Sequence, residues 1–208
     1  MSIALLQAQA VACERGGRAL FQSVSFELHA GAALHLEGDN GAGKTTLLRA
    51  LSGLSPLAQG QVWWRGQSTA EARSAFHADL LYLGHALGLK DELTALENLQ
   101  LGAAVSGQTL APSQALDALA TQGLKSRAHL PLKVLSQGQK RRVALARLQV
   151  ARAKLWLLDE PFVALDTDAV QVLQGLLRAH LEQGGALLFT SHQAVSLGSS
   201  MQHLRLQT

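Results

Sequence analysis

One eight-residue segment restricts the possible folds of this chain more than any other feature. Residues 38–45 read GDNGAGKT and match the phosphate-binding P-loop pattern G-x-x-x-x-G-K-[ST]. Residues 33–37 before it alternate like a β-strand, and residues 44–51 after it carry leucines at helical spacing. A strand, a glycine-rich loop and a helix N-terminus in this order form an anion site, because free N–H groups and the helix dipole converge there. The sequence therefore predicts an α/β fold that holds phosphate groups.

The residue types of this loop each have a physical task. Glycines let the backbone curl so that successive N–H groups point at phosphate oxygens. Lys44 adds a positive charge for the β- and γ-phosphates of a nucleotide, and the Thr45 hydroxyl can ligate Mg²⁺. The residues expected to hold the nucleotide here are Gly38, Asp39, Asn40, Gly41, Ala42, Gly43, Lys44, Thr45 and Thr46.

The composition favours one folded domain and argues against a disordered, a nucleic-acid-binding or a disulfide-linked protein. The 208 residues are 48% hydrophobic and 16% charged, which argues against disorder. The net charge of +3 is modest, and the sequence has no stripe of clustered basic residues. No nucleic-acid partner is therefore expected. Cys13 is the single cysteine, which excludes an intrachain disulfide. Because the sequence has no signal-peptide pattern and no long apolar run, we expect a chain that is cytoplasmic and soluble, or held at a membrane only by a partner.

The two ends of the chain have β character. Residues 1–37 hold short alternating segments separated by glycines, as in an antiparallel β layer. Residues 155–158 and 186–189 are short apolar runs bounded by turn residues, as in a buried parallel sheet. A helical pattern from about 168 to 181 lies between them.

The middle of the chain is helical. Three amphipathic patterns begin near Thr94, Pro112 and Ser136, and the first opens with a capping-box pattern of Thr94 and Glu97. The expected fold class is therefore α/β, a P-loop core with a mixed sheet, an antiparallel β layer and a helical insert. The expected organisation is one domain over residues 1–208, with the core in 1–90 and 151–208 and the helical subdomain in 91–150.

A second motif consists of a buried strand that ends in two carboxylates. Residues 155–158 are apolar, and Asp159 and Glu160 follow at the sheet edge where α/β folds bind ligands. There Asp159 can hold Mg²⁺, directly or through water. Glu160 can polarise a water molecule for attack on the γ-phosphorus.

Residues 135–139, which read LSQGQ, allow two interpretations. Ser136 and Gln139 form a capping-box pattern for the helix that follows. The same capped N-terminus would present free N–H groups and a positive dipole to a phosphate. Because the P-loop already serves the phosphates of its own chain, a second anion site makes best sense across a dimer interface.

Over nearly its whole length the chain resembles an ABC-transporter ATPase cassette. Five segments occur in the order and approximate spacing of that family: Gly38–Thr45, Leu135–Gln139, Asp159–Glu160, Ala164–Asp166 and Thr190–His192. The resemblance implies a head-to-tail homodimer in the ATP-bound state, with each ATP between the P-loop of one copy and Ser136, Gly138 and Gln139 of the other. It also implies that His192 contacts the γ-phosphate and that Asp166 organises the interface near the attacking water.

Three positions depart from the family pattern. Gln137 replaces the usual third-place glycine of its segment. His85 stands where the family has a glutamine, and an imidazole there could bind water near Mg²⁺ with added pH dependence. Arg15 lies near the place of the aromatic residue that stacks on adenine, and a guanidinium can also stack on a base. The expected catalytic residues are Lys44, Glu160 and His192, and the expected metal-site residues are Thr45, Asp159 and His85.

Two longer segments are similar to a narrower subfamily, the ATP-binding subunits of the cytochrome c maturation haem exporter. They are residues 136–148, SQGQKRRVALARL, and residues 156–162, WLLDEPF. The resemblance implies integral membrane permease subunits as partners and a peripheral position on the cytoplasmic side of the inner membrane. The eight histidines show no obvious ligand cluster in the sequence, so direct haem binding by this chain is not expected.

Other functions stay open at this point. The chain could be the ATPase subunit of a different ABC transporter. It could also be a soluble ABC ATPase that acts on DNA or ribosomes, although the segment between Lys44 and Ser136 is too short for long coiled coils. A third possibility is a P-loop kinase for a small metabolite, but that function would give Ser136 and His192 no role.

Overall fold

The computed structural model describes residues 4–16, 18–193, 195–198 and 201–206, without the side chains of Arg15, Arg18 and Gln22. The chain divides into two compact units. The first unit comprises Met1–Gly84, Ala153–Pro161 and Arg178–Thr208, and the second comprises His85–Arg152 and Phe162–Leu177.

Strands and helices alternate along the described chain. The strands are β1 (Leu6–Arg15), β2 (Arg18–Leu28), β3 (Ala33–Glu37), β4 (Gln59–Trp64), β5 (Gln67–Ser68), β6 (Leu80–Leu83), β7 (Leu155–Leu158), β8 (Ala186–Thr190) and β9 (Met201–Arg205). The α-helices are α1 (Lys44–Leu51), α2 (Arg73–Ala78), α3 (Ala95–Val105), α4 (Pro112–Thr121), α5 (Gln137–Val150) and α6 (Thr167–Glu182). None of the helices in the described part of the chain combines the length and the hydropathy that a bilayer crossing requires.

The first unit contains two sheets. One has four strands in the order β2-β1-β4-β5, and each neighbouring pair is antiparallel. The other has five strands in the order β6-β7-β8-β3-β9, and each pair is parallel. Every residue of β7 and β8 is buried, because strands in the middle of a parallel sheet are covered on both faces. In contrast, β9 is mostly exposed, as befits an edge strand.

A hydrophobic core joins these elements of the first unit. Helix α1 contributes Leu47, Leu48 and Leu51, which recur at the spacing of one helix face. The same core includes Phe21 from the antiparallel sheet and Leu157 from the parallel sheet. Burial of α1 fixes the start of this helix, and therefore the end of the P-loop, against the parallel sheet.

The second unit is built from α3, α4 and α5 around a core of its own. Ala115, Leu119 and Val143 are fully buried in this core. Asn98 on α3 is buried and makes four hydrogen bonds to backbone groups of residues 90–94, which hold that loop against the helix. The predicted capping box of α3 is present, since Thr94 accepts from Glu97 N–H and the Glu97 carboxylate accepts from Thr94 N–H.

The predicted fold class is confirmed, with differences in detail. The structure is α/β, with an antiparallel sheet, a parallel sheet and a helical segment. The core sheet was expected to be mixed, but all its described strands run parallel, because β1, β2 and β4 form a separate sheet instead of joining it. The second unit also takes in Phe162–Leu177 in addition to residues of the expected 91–150 subdomain.

Two glycines with similar backbone angles provide a test of close packing between β4 and β1. Gly60 has φ +84°, and a Cβ there would lie 2.5 Å from the Gln9 carbonyl oxygen. Gly66 has φ +77°, and no described atom lies within 4 Å of its Cβ position. We expect Gly60→Ala to lower the free energy of unfolding by about 3 kcal/mol or more, and Gly66→Ala by about 1–2 kcal/mol from backbone strain alone. Urea unfolding measures both, and equal losses would contradict the close approach.

Candidate functional site

The candidate site of the first unit lies at the C-terminal edge of the parallel sheet. The P-loop follows β3, Asp159 and Glu160 follow β7, and Thr190 is the last residue of β8. Because β8 lies between β7 and β3, these strand ends are neighbours. Open α/β sheets bind ligands at this edge, since the loops that leave it converge.

The P-loop has the backbone conformation that its glycines permit. Gly43 is the N-cap residue of α1, with φ 94° and ψ 13° in the left-handed region, and Gly41 has φ 90°. A Cβ at Gly43 would lie 3.0 Å from the Phe21 ring, so a larger residue would have to displace that ring. The first N–H groups of α1 have no partner within the helix and point toward the loop, as an anion site requires.

The predicted phosphate-binding lysine folds back over this loop. Lys44 Nζ donates hydrogen bonds to the carbonyl oxygen of Gly38 at 2.6 Å and to that of Asp39 at 3.2 Å. These partners hold the ammonium group above the loop that it is expected to serve. The structure thus brings the charge of Lys44 and the amide groups of the loop to one place.

Asp159 is the most completely enclosed member of the site, with 1% of its surface exposed. Its Oδ2 accepts a hydrogen bond from Thr45 Oγ1 at 2.7 Å, and its Oδ1 accepts one from Thr190 Oγ1 at 2.9 Å. Its backbone N–H donates to Leu83 of β6. The pKa of Tyr82 is raised, mainly by the burial of its side chain and to a smaller extent by the negative charge of Asp159. A carboxylate buried this deeply requires such polar partners, because desolvation of the charge is costly.

Glu160 adopts an uncommon backbone conformation beside Asp159. Its φ is 51°, in the left-handed region that a glutamate rarely occupies. Its N–H donates to Thr190 Oγ1 at 2.8 Å, and 6% of its surface is exposed. His192 Nε2 lies 3.5 Å from Glu160 Oε1, while the His192 side chain is 57% exposed. The predicted base and the predicted γ-phosphate contact are therefore adjacent.

The residues around Ser136 belong to the second unit. Ser136 Oγ accepts from Gln139 N–H at 3.2 Å, and Gln139 Oε1 accepts from Ser136 N–H at 3.0 Å, so the predicted capping box of α5 is present. A Cβ at Gly138 would lie 3.4 Å from the Ala164 carbonyl oxygen, so the two predicted interface segments pack together. Asp166 caps α6 through Ala169 N–H.

The remaining expected residues occupy different positions. His85 is exposed and is the first residue of the second unit. Arg15 ends β1, and its side chain lies outside the part of the chain that the structure describes. Lys44, Thr45, Asp159, Glu160 and His192 all lie in the first unit.

Sequence reasoning missed the roles of two residues. Thr190 is fully buried and its hydroxyl contacts both Asp159 and Glu160. The signal was present, since Thr190 is the polar residue that ends the next buried strand, but strand order is needed to place it. Arg142 forms an ion pair with Asp166, which holds the predicted interface residue to α5.

Comparison with known protein families identifies the family to which this chain belongs. The family model described as ABC transporter matches residues 21–163, well over half of the chain. The chain belongs to the ABC transporter family. As an ABC-type ATPase it binds and hydrolyses ATP.

Relatives of this ABC ATPase match it over almost their full lengths. The cytochrome c biogenesis ATP-binding export protein CcmA of Dechloromonas aromatica (strain RCB) is 48% identical over 203 residues, which cover 97% of this chain and 100% of the relative. CcmA of Escherichia coli (strain K12) is 47% identical over 196 residues, which cover 94% and 93% of the two chains. The ABC ATPase therefore resembles CcmA from end to end.

Solved structures support the same fold. A putative ABC transporter ATP-binding protein from Pyrococcus furiosus has a TM-score of 0.84 at 22% identity, with 97% of this chain and 96% of that chain covered. The ATP-binding cassette MJ0796, in a dimeric post-hydrolysis state bound to ADP and Pi, has a TM-score of 0.80 at 24% identity, with 90% and 88% covered.

Thr190 provides a test of how the site is positioned. Thr190→Val keeps the shape of the side chain but removes the hydroxyl that orients both carboxylate-bearing residues. We expect kcat for ATP hydrolysis to fall about 10- to 100-fold, the equivalent of one or two charge-assisted hydrogen bonds, with a smaller change in KM. Steady-state ATPase assays measure both constants.

The matched control is Thr190→Ser, which keeps the hydroxyl and should keep most of the turnover. Thermal unfolding establishes that both variants fold. A folded valine variant with full turnover, or a serine variant as slow as the valine variant, would contradict the positioning role.

Proposed function

We propose that this ABC ATPase is the ATP-binding and hydrolysing subunit of a membrane complex that exports or delivers haem for cytochrome c maturation. The observation that carries the proposal is the match to CcmA at 48% identity, across 97% of this chain and all of the relative. The match includes both units, so it extends beyond the P-loop core that many nucleotide-binding proteins share.

The first unit binds the phosphates of ATP through Gly38–Thr46. The main-chain N–H groups of this loop and of the first turn of α1 donate to phosphate oxygens. Lys44 exchanges its hydrogen bonds to the neutral carbonyl groups of Gly38 and Asp39 for charge-assisted bonds to the β- and γ-phosphates, which are stronger. Arg15 stacks on the adenine base in this proposal.

Thr45 and Asp159 are suited to hold Mg²⁺. Their oxygen atoms lie 2.7 Å apart, and hydroxyl and carboxylate oxygens are the donors that this ion prefers. When bound, Mg²⁺ neutralises charge on the phosphate oxygens. Thr190 keeps the Asp159 carboxylate in one orientation, and His85 is proposed to contribute through water.

Glu160 is the proposed general base. Its carboxylate accepts a proton from a water molecule while the water oxygen attacks the γ-phosphorus and the bond to the β–γ bridging oxygen breaks, giving ADP and phosphate. His192, which lies 3.5 Å from Glu160, positions the γ-phosphate. The burial of Glu160 keeps bulk water away from its carboxylate.

Efficient hydrolysis is proposed to need a homodimer formed with ATP. Ser136, Gly138 and Gln139 belong to the second unit, and their capped helix start offers N–H groups and a positive dipole to the γ-phosphate of the partner copy. Gln137, at the place of a glycine, still supplies a backbone N–H group. Asp166, fixed by Arg142, lines the interface in this proposal.

Integral membrane permease subunits are the proposed partners, with the ATPase peripheral on the cytoplasmic side of the inner membrane. The similarity to an export protein supports this location. We propose neither a nucleic-acid partner nor direct haem binding by this chain. ATP hydrolysis instead drives the membrane partners that handle haem.

The glutamate base gives the sharpest enzymatic test. We expect Glu160→Gln to slow ATP hydrolysis by roughly 10²–10⁴, because a carboxamide cannot accept the proton. The variant should still form an ATP-dependent dimer, which size-exclusion chromatography with light scattering detects. Glu71→Gln, an exposed glutamate on the same unit, is the matched control and should keep normal turnover. Undiminished hydrolysis in Glu160→Gln would remove Glu160 from the base role.

Co-purification tests the biological assignment. The tagged full-length chain is recovered from membranes after gentle solubilisation, with and without ATP, and its partners are identified by mass spectrometry. We expect integral membrane proteins of cytochrome c maturation to be enriched, and Glu160→Gln to retain them longer in ATP. Recovery of a different permease would redirect the proposal to another transporter, and recovery of ribosomes or DNA would refute the membrane role.

A further inference from the structure

A group of three metal-ligating side chains lies outside the nucleotide site in the first unit. It consists of His35 and Glu37 on β3 and His203 on β9, with one ligand atom of each within 4.8 Å of the others. The nucleotide chemistry uses none of these side chains. Two imidazoles and one carboxylate are a donor set that binds divalent transition metals.

Sheet geometry holds the three side chains on one face. His35 and Glu37 are two residues apart on β3, and such residues point to the same side of a strand. His203 is the register partner of His35 on the parallel strand β9. The ring of His35 stacks on Phe189 of β8, with ring centroids 4.8 Å apart, so its position is fixed.

The hydrogen bond of His35 determines which of its nitrogens faces Glu37. Its Nε2 lies 3.1 Å from the Ser191 carbonyl oxygen, which can only accept, so Nε2 carries the proton. The Nδ1 of His35 therefore lies on the side of Glu37, 3.3 Å from Glu37 Oε1. A ring nitrogen and a carboxylate oxygen at this distance are placed as two ligands of one metal ion would be.

Glu37 and His203 complete the arrangement. His203 Nδ1 lies 2.7 Å from Glu37 Oε1, so nitrogen atoms of both histidines lie close to the same carboxylate oxygen. The neighbouring Arg205 forms an ion pair with Asp39 at 3.9 Å.

We propose that His35, Glu37 and His203 bind Zn²⁺. Zinc bonds to nitrogen and oxygen of about 2.0–2.2 Å place tetrahedral ligand atoms about 3.4 Å apart, close to the 3.3 Å between His35 and Glu37. The shorter contact to His203 opens slightly on binding, which its exposed side chain permits. Three protein ligands leave one position for water, so the ion is exchangeable.

The ion joins the edge strand to the base of the P-loop. Strand β9 pairs with β3 alone in the described sheet, and the Leu206 N–H donates to the Glu37 carbonyl oxygen immediately before Gly38. A bond from the metal to each strand therefore restrains the C-terminal edge of the sheet and the residue from which the P-loop starts. Zinc binding stabilises the folded first unit.

Zinc titration of the tag-free, nucleotide-free full chain tests the site. Competition with a chromophoric chelator, in millimolar Mg²⁺, should give one tight Zn²⁺ per chain, and thermal unfolding should shift upward by several degrees. Co²⁺ should give visible absorption bands of a low-coordinate site. His203→Ala should lower the Zn²⁺ affinity more than about 10-fold, the loss that even an outer partner of a metal ligand causes.

His29→Ala is the matched control, because His29 also lies near a glutamate, 3.6 Å from Glu27, but joins no three-ligand group among the described residues. It should bind zinc as the parent does. Glu37→Gln provides a second ligand variant that keeps the side-chain shape. No tight zinc binding by the folded parent, equal binding by His203→Ala and Glu37→Gln, or an equal loss in His29→Ala would each overturn the proposal.

Discussion

The arrangement of the first unit depends on how one buried carboxylate is satisfied. Asp159 is almost fully enclosed, and its two oxygens accept from Thr45 at the start of α1 and from Thr190 at the end of β8. A buried charge is tolerated only with such partners. Since these partners come from different elements, the carboxylate joins the ends of β7 and β8 to the helix that follows the P-loop. The strand order β7-β8-β3 makes this possible, because it places the three chain segments side by side.

Much of this site could be predicted from the sequence, because its local signals are strong. The P-loop pattern fixes a strand, a turn and a helix within a few residues, and α1 has the predicted bounds. The capping boxes of α3 and α5 were also predicted, since a side chain and a backbone group three residues apart determine them. Asp159 could be placed at a strand end because four buried apolar residues precede it.

Contacts between strands distant in the sequence could not be predicted in this way. Strand β9 was missed, because an exposed edge strand that reads MQHLR lacks an apolar run. Without β9, His203 could not be matched with His35, and the histidines gave no visible cluster. Thr190 was assigned no role for the same reason, since periodicity tells which face a residue occupies but not which strand lies beside it.

The strained backbone of Glu160 follows from the way Asp159 is held. Asp159 points toward Thr45 and Thr190, whereas the buried Glu160 carboxylate lies beside His192. In a regular strand consecutive side chains already alternate, but β7 ends at Leu158, so the chain has to leave the sheet between these two residues. The left-handed φ of Glu160 makes that turn, and the bond from its N–H to Thr190 secures it. Thr190 therefore holds the Asp159 carboxylate and the Glu160 backbone in one geometry, so that neither can move without disturbing the other.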